Sequence, residues 1–467
     1  MRSVMTRRFE QFDQIEFAEL SGDWNPIHVD PVCARRSVYG QIVHGVNAVA
    51  WALEGLISET GIVPGKVRVA FLKPISLYEE VCAVWRLEGT ETVILIQRGT
   101  QTFVSIRIQP GGQLQASACA NPPTTPCHIP VDRNFSSLRG EQGILEAWGY
   151  VSFLERDFPN LVRTLGPLRT AALFSLSRLV GMICPGLHSI FSGINIAFTG
   201  SEGVRIPYRV VRHSIHNAPL RISYRGAGIE GTLDAFVRPV PASQPDIDVI
   251  RHQVEPGEFA GQTALVVGGS RGLGETLAKI IAAGGGTPIV TYNVGEQDAV
   301  RVQNEICAAG GDCDILRMDV LNMESVLQDL TANGLRPPTH LYYFASPIIR
   351  ANKSPALSSK LGELYHAYYV EAFGALCRAL ARGKGAQIFY PSTIYIKAAP
   401  DGLMEYVNAK AAGEVLCSSL AQEYPNLTFY VERLPRMHTD QTNSILERRG
   451  VDPLGPLLAV ARKCQKH

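Results

Sequence analysis

A buried strand, a glycine-rich turn and a helix follow one another between positions 263 and 283. Residues 263–267 are Thr-Ala-Leu-Val-Val, residues 268–274 contain four glycines, and an apolar helical pattern runs over 272–283. Further strand-like runs lie at 288–291, 341–344, 386–390 and 428–432. Strands that alternate with helices predict a parallel sheet, because a crossover must return the chain to the start of each next strand. Residues 259–467 are therefore predicted to form a doubly wound α/β domain.

Two proline-containing stretches divide the rest of the chain. At 467 residues the chain exceeds one ordinary core, so two or three domains are expected. Residues 110–130 and 239–258 carry several prolines and little apolar periodicity, which is typical of linkers. The predicted domains are therefore residues 1–120, 127–240 and 259–467.

The first two segments share one order of elements. The first has a helical stretch at 46–58 and strand-like runs at 66–72, 81–88, 92–98 and 102–109. The second has a helical stretch at about 168–183 and runs at 190–198, 206–213, 220–224 and 229–237. A helix followed by several antiparallel strands, twice over, predicts an α+β double hotdog in which two units share a continuous sheet. The chain is thus predicted to be multidomain, with the double hotdog first and the α/β domain second.

Composition and charge narrow the range of partners. Lys and Arg number 44 against 43 Asp and Glu, so the net charge of +1 gives no electrostatic reason to expect nucleic acid. No run approaches the roughly 20 apolar residues that span a bilayer, and the first residues lack the apolar core of a secretory signal. Ten cysteines without a Cys-x-x-Cys pair argue against a zinc site or a disulfide framework. We therefore expect a cytoplasmic protein with no metal, membrane or nucleic-acid partner.

The most specific chemical motif lies near the start of the chain. It is Gly22-Asp23-Trp24-Asn25-Pro26-Ile27-His28, followed by Ile42-Val43-His44-Gly45 ahead of the first helical stretch. The strip resembles, almost position by position, the MaoC-like family of (R)-specific enoyl-thioester hydratases and dehydratases. That resemblance implies a hotdog domain that adds water to, or removes it from, an acyl thioester.

The resemblance also implies roles for individual residues. Adding water requires a base for the water, an acid for the α-carbon and donors for the enolate-like oxyanion. Asp23 and His28 would share the acid–base work, and the backbone N–H of Gly45 at a helix N-terminus would stabilise the oxyanion. Asn25 is expected to orient the loop and His44 to pack behind it. The second segment has no such strip, so we expect a non-catalytic half that shapes the acyl tunnel.

The glycine-rich turn of the third segment resembles that of short-chain dehydrogenases/reductases. Glycines at 268, 272 and 274 follow a buried strand and open a helix, which is the context of a dinucleotide-binding loop in a Rossmann-type fold. The resemblance implies cofactor contacts from Gly268, Ser270, Arg271, Gly272, Leu273, Gly274, Asp319, Val320, Ala345 and Thr439.

The end of the second strand of this segment indicates the cofactor. An acidic residue there would hold the ribose hydroxyls of NAD, whereas this chain has Thr291-Tyr292-Asn293. Arg271 offers a cation for a 2′-phosphate. The sequence therefore favours NADPH, with Asn293 among its contacts.

Tyr406 and Lys410 lie one helical turn apart and resemble the Tyr-x-x-x-Lys pair of the same family. The resemblance implies that Tyr406 donates a proton to the carbonyl oxygen, and that Lys410 lowers the tyrosine pKa and reaches the nicotinamide ribose. A nearby hydroxyl should orient the substrate. Thr393 has the family spacing, but Ser392 stands beside it and the family usually has serine there, so both remain candidates.

The third segment departs from the family at several places. The family's Asn-Asn-Ala-Gly stretch is Tyr343-Phe344-Ala345-Ser346, its relay asparagine is Glu371, and its later Pro-Gly is Pro435-Arg436. A divergent member is therefore expected, and a domain that only binds nucleotide is the alternative.

Together the two resemblances predict a bifunctional enzyme. The reductase would make a 3-hydroxyacyl thioester from a 3-ketoacyl thioester, and the hydratase would remove water to give the trans-2-enoyl product. The alternatives are the same pair run oxidatively and a non-catalytic acyl-binding assembly subunit. The expected partners are an acyl thioester on coenzyme A or acyl carrier protein, and further copies of this chain in a homodimer or higher oligomer.

Overall fold

The computed structural model describes residues 4–37, 39–113, 118–121, 127–133, 135–200, 203–213, 219–322, 334–349, 351, 357–443 and 450–465. Contacts within the chain separate two compact units, the first over Met1–Val240 and the second over Pro241–Asn443 together with Arg448–His467. The boundary falls inside the second predicted linker. The division into residues 1–120 and 127–240 within the first unit stays a prediction.

The first unit is built on one antiparallel sheet. The part of it that the structure describes has β1 (Val4–Arg8), β2 (Pro64–Phe71), β3 (Glu80–Glu88), β4 (Glu91–Arg98), β5 (Gln101–Pro110), β6 (Gln142–Glu146), β7 (Ser189–Phe198), β8 (Arg205–Arg212), β9 (Leu220–Gly226) and β10 (Ile229–Val237). Their order is β1-β3-β4-β5-β2-β7-β10-β9-β8-β6. The second half thus repeats the first in reverse order, and β2 pairs with β7 at the seam. The predicted double hotdog is confirmed.

Helices fill the inner face of this sheet. They are α1 (Gln11–Ser21), α2 (Pro26–Val29), α3 (Pro31–Ala34), α4 (Gly45–Thr60), α5 (Val151–Asp157), α6 (Pro159–Leu165) and α7 (Pro167–Arg178), and α7 continues as a π-helical turn, Leu179–Ile183. Helix α4 buries apolar side chains around most of its circumference, so it lies in the core rather than on the surface. Alternate strand residues such as Val67 and Val69 close the core from the sheet side.

The second unit is a parallel sheet between helices. Its described strands are β11 (Thr263–Val267), β12 (Thr287–Tyr292), β13 (Asp314–Arg317), β14 (His340–Tyr343), β15 (Ala386–Thr393) and β16 (Leu427–Leu434), in the order β13-β12-β11-β14-β15-β16. Its helices are α8 (Ile247–Arg251), α9 (Gly272–Ala283), α10 (Glu296–Ala308), α11 (Ser359–His366), α12 (Phe373–Ala381), α13 (Met404–Glu423) and α14 (Leu454–Gln465). This order confirms the predicted doubly wound Rossmann-type fold, in which ligands bind at the carboxyl ends of the strands.

The predicted linker at 239–258 is wrong in part. It contains α8, where Ile250 is buried and the N–H of Ile247 donates to the Glu305 carboxylate at 2.9 Å. Two apolar residues on one face of a short helix were enough to pack it onto the α/β unit. Of the first predicted linker, residues 114–117 and 122–126 lie outside the described residues. Among the helices described, none combines the length and the apolarity needed to cross a membrane.

Candidate active sites

The motif near the start of the chain folds as a helix stop followed by a cap. Gly22 ends α1 in the left-handed region (φ 75°), and its N–H donates to the Ala18 carbonyl at 2.8 Å. Asn25 then caps α2 through its side chain, and Pro26 occupies the first helical position. These two signals turn the chain sharply between Asp23 and His28, so polar atoms of the two side chains lie within 4.8 Å of each other.

Asp23 is a buried carboxyl with two hydrogen bonds. Only 2 % of the residue is exposed. The hydroxyl of Ser177 donates to Oδ2 at 2.6 Å, and the N–H of Asn25 donates to Oδ1 at 3.2 Å. Burial raises the pKa of Asp23 to about 7, and these two hydrogen bonds oppose the rise. Near neutral pH Asp23 can therefore donate a proton.

His28 is arranged as a base. Its Nδ1 lies 2.9 Å from the carbonyl oxygen of Ile42. A carbonyl only accepts hydrogen bonds, so Nδ1 carries the hydrogen and Nε2 keeps the lone pair. Burial lowers the pKa of His28 to about 4, so the ring is neutral near pH 7. Environments that push two pKa values apart in this way assign an acid and a base.

His44 supports this pair from behind. It is fully buried and stacks on His28 with ring centroids 4.0 Å apart. Its Nε2 lies 2.9 Å from the carbonyl oxygen of Asp23, and its Nδ1 lies 3.1 Å from Oε1 of Gln14. Asp23, His28 and His44 each offer a ligand atom within 4.8 Å of the others, which is the spacing of a metal site. Because the Asp23 carbonyl can only accept, Nε2 of His44 carries the hydrogen and is not free to bind a metal, so the trio fits a supported acid–base pair better than a metal site.

Gly45 begins α4 beside this pair. The first N–H groups of a helix have no acceptor within the helix, so they are available to a developing oxyanion. A Cβ at Gly45 would lie 2.8 Å from the ring of Phe71, which therefore covers this end of the helix. Phe71 in turn meets Phe191 of the second half edge-on, at 5.3 Å. Apolar rings from both halves thus flank the start of α4.

The second half contributes polar contacts as well as a wall. The backbone of Gly181 lies so close to Asp23 that a Cβ there would collide with its carboxylate. The amide of Asn25 donates to the Gly181 carbonyl at 2.7 Å. With Ser177, these contacts show that the end of α7 and the π-helical turn after it hold the acid in place. No local motif marked Ser177 or Gly181, since both lie in an apolar helical stretch of the sequence.

The glycine loop of the second unit closes tightly over the end of β11. Gly268 and Gly272 both lie in the left-handed region, with φ of 78° and 61°. A Cβ at Gly268 would lie 3.0 Å from the backbone nitrogen of Ala345, and one at Gly272 would lie 3.7 Å from Thr439. The loop, Ala345 and Thr439 are therefore neighbours, and Ser270, Leu273 and Gly274 belong to the same turn.

The residues predicted for the adenosine end follow the next two strands. Asn293 is exposed directly after β12, while Asp319 and Val320 follow β13. The N–H of Leu321 donates to the Asp319 carboxylate at 3.1 Å, which fixes that turn. All three lie at the carboxyl edge of the sheet, as the sequence predicts.

Arg271, the predicted partner of a 2′-phosphate, already has a carboxylate nearby. Its Nη1 lies 3.6 Å from Oδ2 of Asp440. A second cation that the sequence argument missed, Arg317, is the register partner of Tyr292 at the end of β12. The sequence feature that could have indicated Arg317 is a basic residue at the end of the third strand of this unit.

Tyr406 hydrogen-bonds Thr393. Tyr406 is 9 % exposed, and burial raises its pKa to about 12, while the hydrogen bond with Thr393 opposes the rise. The expectation that Lys410 lowers this pKa is wrong, because burial dominates and the charge of Lys410 is not among its influences. Ser392 instead donates to the Glu414 carboxylate, which Arg433 also holds at 2.7 and 2.8 Å. Of the two candidate hydroxyls, Thr393 is the one directed at the tyrosine.

Lys410 lies among tyrosine rings. Its Nζ donates to the Pro391 carbonyl at 2.8 Å and lies 3.9 Å from the ring centroid of Tyr369. Burial lowers the pKa of Lys410 to about 7, whereas a ring face favours the charged form. Tyr369 lies in a π-helical turn, Ala367–Ala372, and its hydroxyl is 2.6 Å from that of Ser346.

Glu371, which stands where the family has its relay asparagine, is not part of the group formed by Lys410 and its tyrosine neighbours. Glu371 is exposed and lies 3.2 Å from His366. Tyr369, two residues earlier, is buried beneath Lys410 instead. A π-helical turn is common at functional sites because it re-aims the side chains that follow. No sequence motif predicted that Tyr369, rather than residue 371, would lie beside Lys410.

Comparison with known proteins supports the family resemblance of the N-terminal region. Residues 2–102 match the model of the MaoC like domain. The N-terminal resemblance is therefore confirmed. A mitochondrial 3-hydroxyacyl-[acyl-carrier-protein] dehydratase of Arabidopsis thaliana is 31% identical over 106 residues, which are 21% of this chain and 62% of that protein.

The chain is also similar to reductases. A chloroplastic NADPH-dependent aldehyde reductase-like protein of Arabidopsis thaliana is 25% identical over 185 residues, 36% of this chain and 68% of that protein. The hydroxynaphthalene reductase-like protein Arp2 of Metarhizium brunneum is 34% identical over 86 residues, but the chain spans only 32% of its length.

Among solved structures, a short chain dehydrogenase of Burkholderia cenocepacia in complex with NADP is 24% identical with a TM-score of 0.40, covering 44% of this chain and 91% of that one. A dehydrogenase/reductase of Sinorhizobium meliloti is 24% identical with the same TM-score, covering 46% and 91%. The sequence relatives support dehydratase-type and reductase-type functions in one chain.

Proposed function

We propose that this protein is a bifunctional enzyme that reduces a 3-ketoacyl thioester with NADPH and then dehydrates the 3-hydroxyacyl product. The observation that carries the dehydration step is the buried pair of Asp23 and His28, whose pKa values are pushed to about 7 and about 4. Such a pair provides a protonated acid and a neutral base at the same pH.

In the dehydration step His28 and Asp23 act on neighbouring carbons. Nε2 of His28 takes the proton from the α-carbon of the 3-hydroxyacyl thioester. Asp23 gives its proton to the hydroxyl on the β-carbon, so that water leaves and the double bond forms. The thioester oxygen carries the transient negative charge, and the N–H of Gly45 at the start of α4 stabilises it.

The second unit is proposed to hold NADPH at the carboxyl edge of its sheet. The residues fit a dinucleotide, because a Cβ at Gly268 or Gly274 would crowd neighbouring backbone, so only glycine permits the tight turn that presents the start of α9 to a pyrophosphate. Arg271, Leu273, Ser270 and Asn293 would form the loop and ribose contacts, with Asp319 and Val320 at the adenine. NADPH supplies the hydride when bound.

The catalytic residues of this unit then handle the proton. Tyr406 gives its proton to the carbonyl oxygen of the 3-keto group, and Thr393 orients that oxygen by its own hydrogen bond. Lys410 provides positive charge beside them and reaches the nicotinamide ribose. Gly272, Ala345 and Thr439 line the cofactor side.

The proposal extends to the setting of the enzyme. The acyl group would be carried on acyl carrier protein or coenzyme A, and joining both sites in one chain raises the local concentration of the shared intermediate. None of the ten cysteines, all of which lie in the described residues, forms a disulfide, which supports a reducing compartment such as the cytoplasm. A homodimer or higher oligomer remains our expectation.

One experiment tests both proposed activities, the reduction and the dehydration. A 3-ketoacyl thioester on each carrier is incubated with NADPH or NADH, and the acyl products are identified by mass. We expect NADPH to be consumed faster than NADH and both 3-hydroxyacyl and enoyl thioesters to form. If neither cofactor is consumed with the substrate on either carrier, the proposed reductase activity is wrong. If only the 3-hydroxyacyl thioester accumulates, the proposed dehydratase activity is wrong.

A further inference from the structure

Arg238 is a partly buried cation whose Nε is fully buried, and it has no carboxylate partner among the described residues. It follows β10, its N–H donates to the His188 carbonyl at 2.7 Å, and its Nη2 donates to the Leu187 carbonyl at 2.7 Å. Its Nε is buried without a hydrogen-bond partner among the described residues. No ion pair joins it to a carboxylate in the described part of the chain. Burying part of a guanidinium without a counter-ion is costly unless the anion arrives with a ligand.

Arg238 lies at the wall of the site that contains Asp23 and His28. The Leu187 carbonyl that accepts from Arg238 also accepts from the amide of Asn25 at 3.2 Å. The backbone of Asn25 in turn donates to Asp23. Burial is the main cause of the lowered pKa of His28, and the charge of Arg238 adds to it. The guanidinium is therefore in electrostatic reach of the proposed base.

His188 adds a second polar group at the same place. It is 7 % exposed, and its Nε2 lies 3.4 Å from Oδ1 of Asp132. Its Nδ1 is buried without a partner among the described residues. Backbone pairing holds His188 and Arg238 side by side. Two adjacent buried polar atoms without partners point to a polar ligand group, and one of them belongs to a cation.

We propose that Arg238 and His188 form a subsite for a carboxylate on the acyl chain, so that the preferred substrate is a dicarboxylic acyl thioester. This rests on the proposed dehydratase function of the same pocket. A carboxylate can accept from the guanidinium in the planar geometry that arginine favours. The phosphate of a carrier arm is an unsuitable source of the charge, because the whole pantetheine chain separates it from the thioester.

The test measures binding rather than turnover. Full-length protein is titrated calorimetrically with glutaryl-pantetheine and with valeryl-pantetheine, which have the same number of acyl carbons and the arm common to both carriers. The wild-type protein should bind glutaryl-pantetheine roughly 10- to 100-fold more tightly, as expected for a charged hydrogen bond. Arg238→Met should remove that preference and leave valeryl-pantetheine binding in place.

A matched control is Arg225→Met, because Arg225 lies on β9 of the same half, is 84 % exposed and pairs with Glu230. It should keep the preference. Equal binding of the two ligands by wild-type protein, or an unchanged preference in Arg238→Met, would overturn the subsite. Binding of neither ligand would count against the dehydratase function itself. If Arg238→Met does not fold, His188→Gln should reduce the preference, and an unchanged preference would again count against the subsite.

Discussion

The hydroxyl of Ser177 donates a 2.6 Å hydrogen bond to the carboxylate of Asp23, 154 positions earlier in the chain. Ser177 belongs to α7 of the second half of the double hotdog, and Asp23 to the loop after α1 of the first. The proton affinity of the proposed acid is therefore set jointly by both halves. A half without its own catalytic strip still influences the chemistry.

Ser177→Ala should move the pH profile of dehydration. The Ser177 hydrogen bond lowers the pKa of Asp23, so its loss should raise that pKa further above its value of about 7. Dehydration needs protonated Asp23 and is lost as pH rises through this pKa, so the alkaline limb of kcat/KM should shift to higher pH. Ser175→Ala, on the same helix but bonded to the Ala171 carbonyl, should leave the limb unmoved. Identical profiles for wild type and Ser177→Ala would refute the link.

Asp23→Asn and His28→Ala should each separate the two activities. Either change removes one member of the acid–base pair, so dehydration should fall by roughly 10²- to 10⁴-fold. NADPH oxidation with a 3-ketoacyl thioester should continue, because the reductase residues are untouched. Both rates are measured on the same preparation, and loss of the reduction as well would contradict the two-site proposal.

Arg271→Ala should discriminate between the two nicotinamide cofactors. The guanidinium can contact a 2′-phosphate only in NADPH, so the Kd for NADPH should rise by roughly 10-fold or more while that for NADH changes little. Fluorescence titration of the reduced cofactors provides the measurement. Asp440→Asn, which removes the carboxylate charge 3.6 Å from Arg271, should not weaken NADPH binding. Equal losses for both cofactors would reject the assignment of Arg271.

Tyr406→Phe should lower the reduction rate by roughly 10²- to 10⁴-fold, because it removes the proposed proton donor. Nucleotide binding should survive, since Lys410 and the glycine loop remain. Thr393→Val should cost more activity than Ser392→Ala, because Thr393 hydrogen-bonds Tyr406 while Ser392 is engaged by Glu414. The reverse order in a substrate-saturated assay would transfer the orienting role to Ser392, and an unchanged rate in Tyr406→Phe would remove the tyrosine from the mechanism.

Tyr369→Leu should lower kcat of the reduction by roughly 3- to 30-fold, the range expected when a buried cation–π contact is lost. The reason is that the ring face 3.9 Å from Nζ of Lys410 favours the charged lysine. Tyr369→Phe keeps the ring and loses only the hydroxyl that meets Ser346, so it should be the milder change. A larger loss for the phenylalanine variant would show that the hydroxyl, not the ring, is what matters.

Local patterns predicted most elements of the fold. The bounds of β11 and α9 agree with the sequence because a four-residue apolar run at 264–267 and flanking glycines mark the ends of these elements. The short edge strands β1 and β6 were missed, since Val-Met-Thr-Arg-Arg and Gln-Gly-Ile-Leu-Glu bury few side chains and show weak alternation. Edge strands of this kind are defined by their neighbour rather than by their own composition.

The residues of the candidate sites also divide into those that a sequence motif predicts and those that no motif predicts. Asp23, His28, Tyr406 and Lys410 belong to contiguous motifs, so their spacing alone predicts their proximity. Ser177, Arg238 and Tyr369 have no motif, because each acquires its role from a partner that is distant in sequence or from a π-helical turn. Residues of that kind become visible only when the chain is folded.

The mirrored strand order around β2 and β7 has a genetic consequence. In an assembly of two identical hotdog chains, every substitution would appear on both sides of the seam. Here each side is encoded separately. A substitution at Ser177 or Arg238 in the second half therefore has no counterpart in the first half. Fusion thus permits division of labour, with one half keeping the reacting groups and the other free to adapt to the shape and charge of the acyl chain.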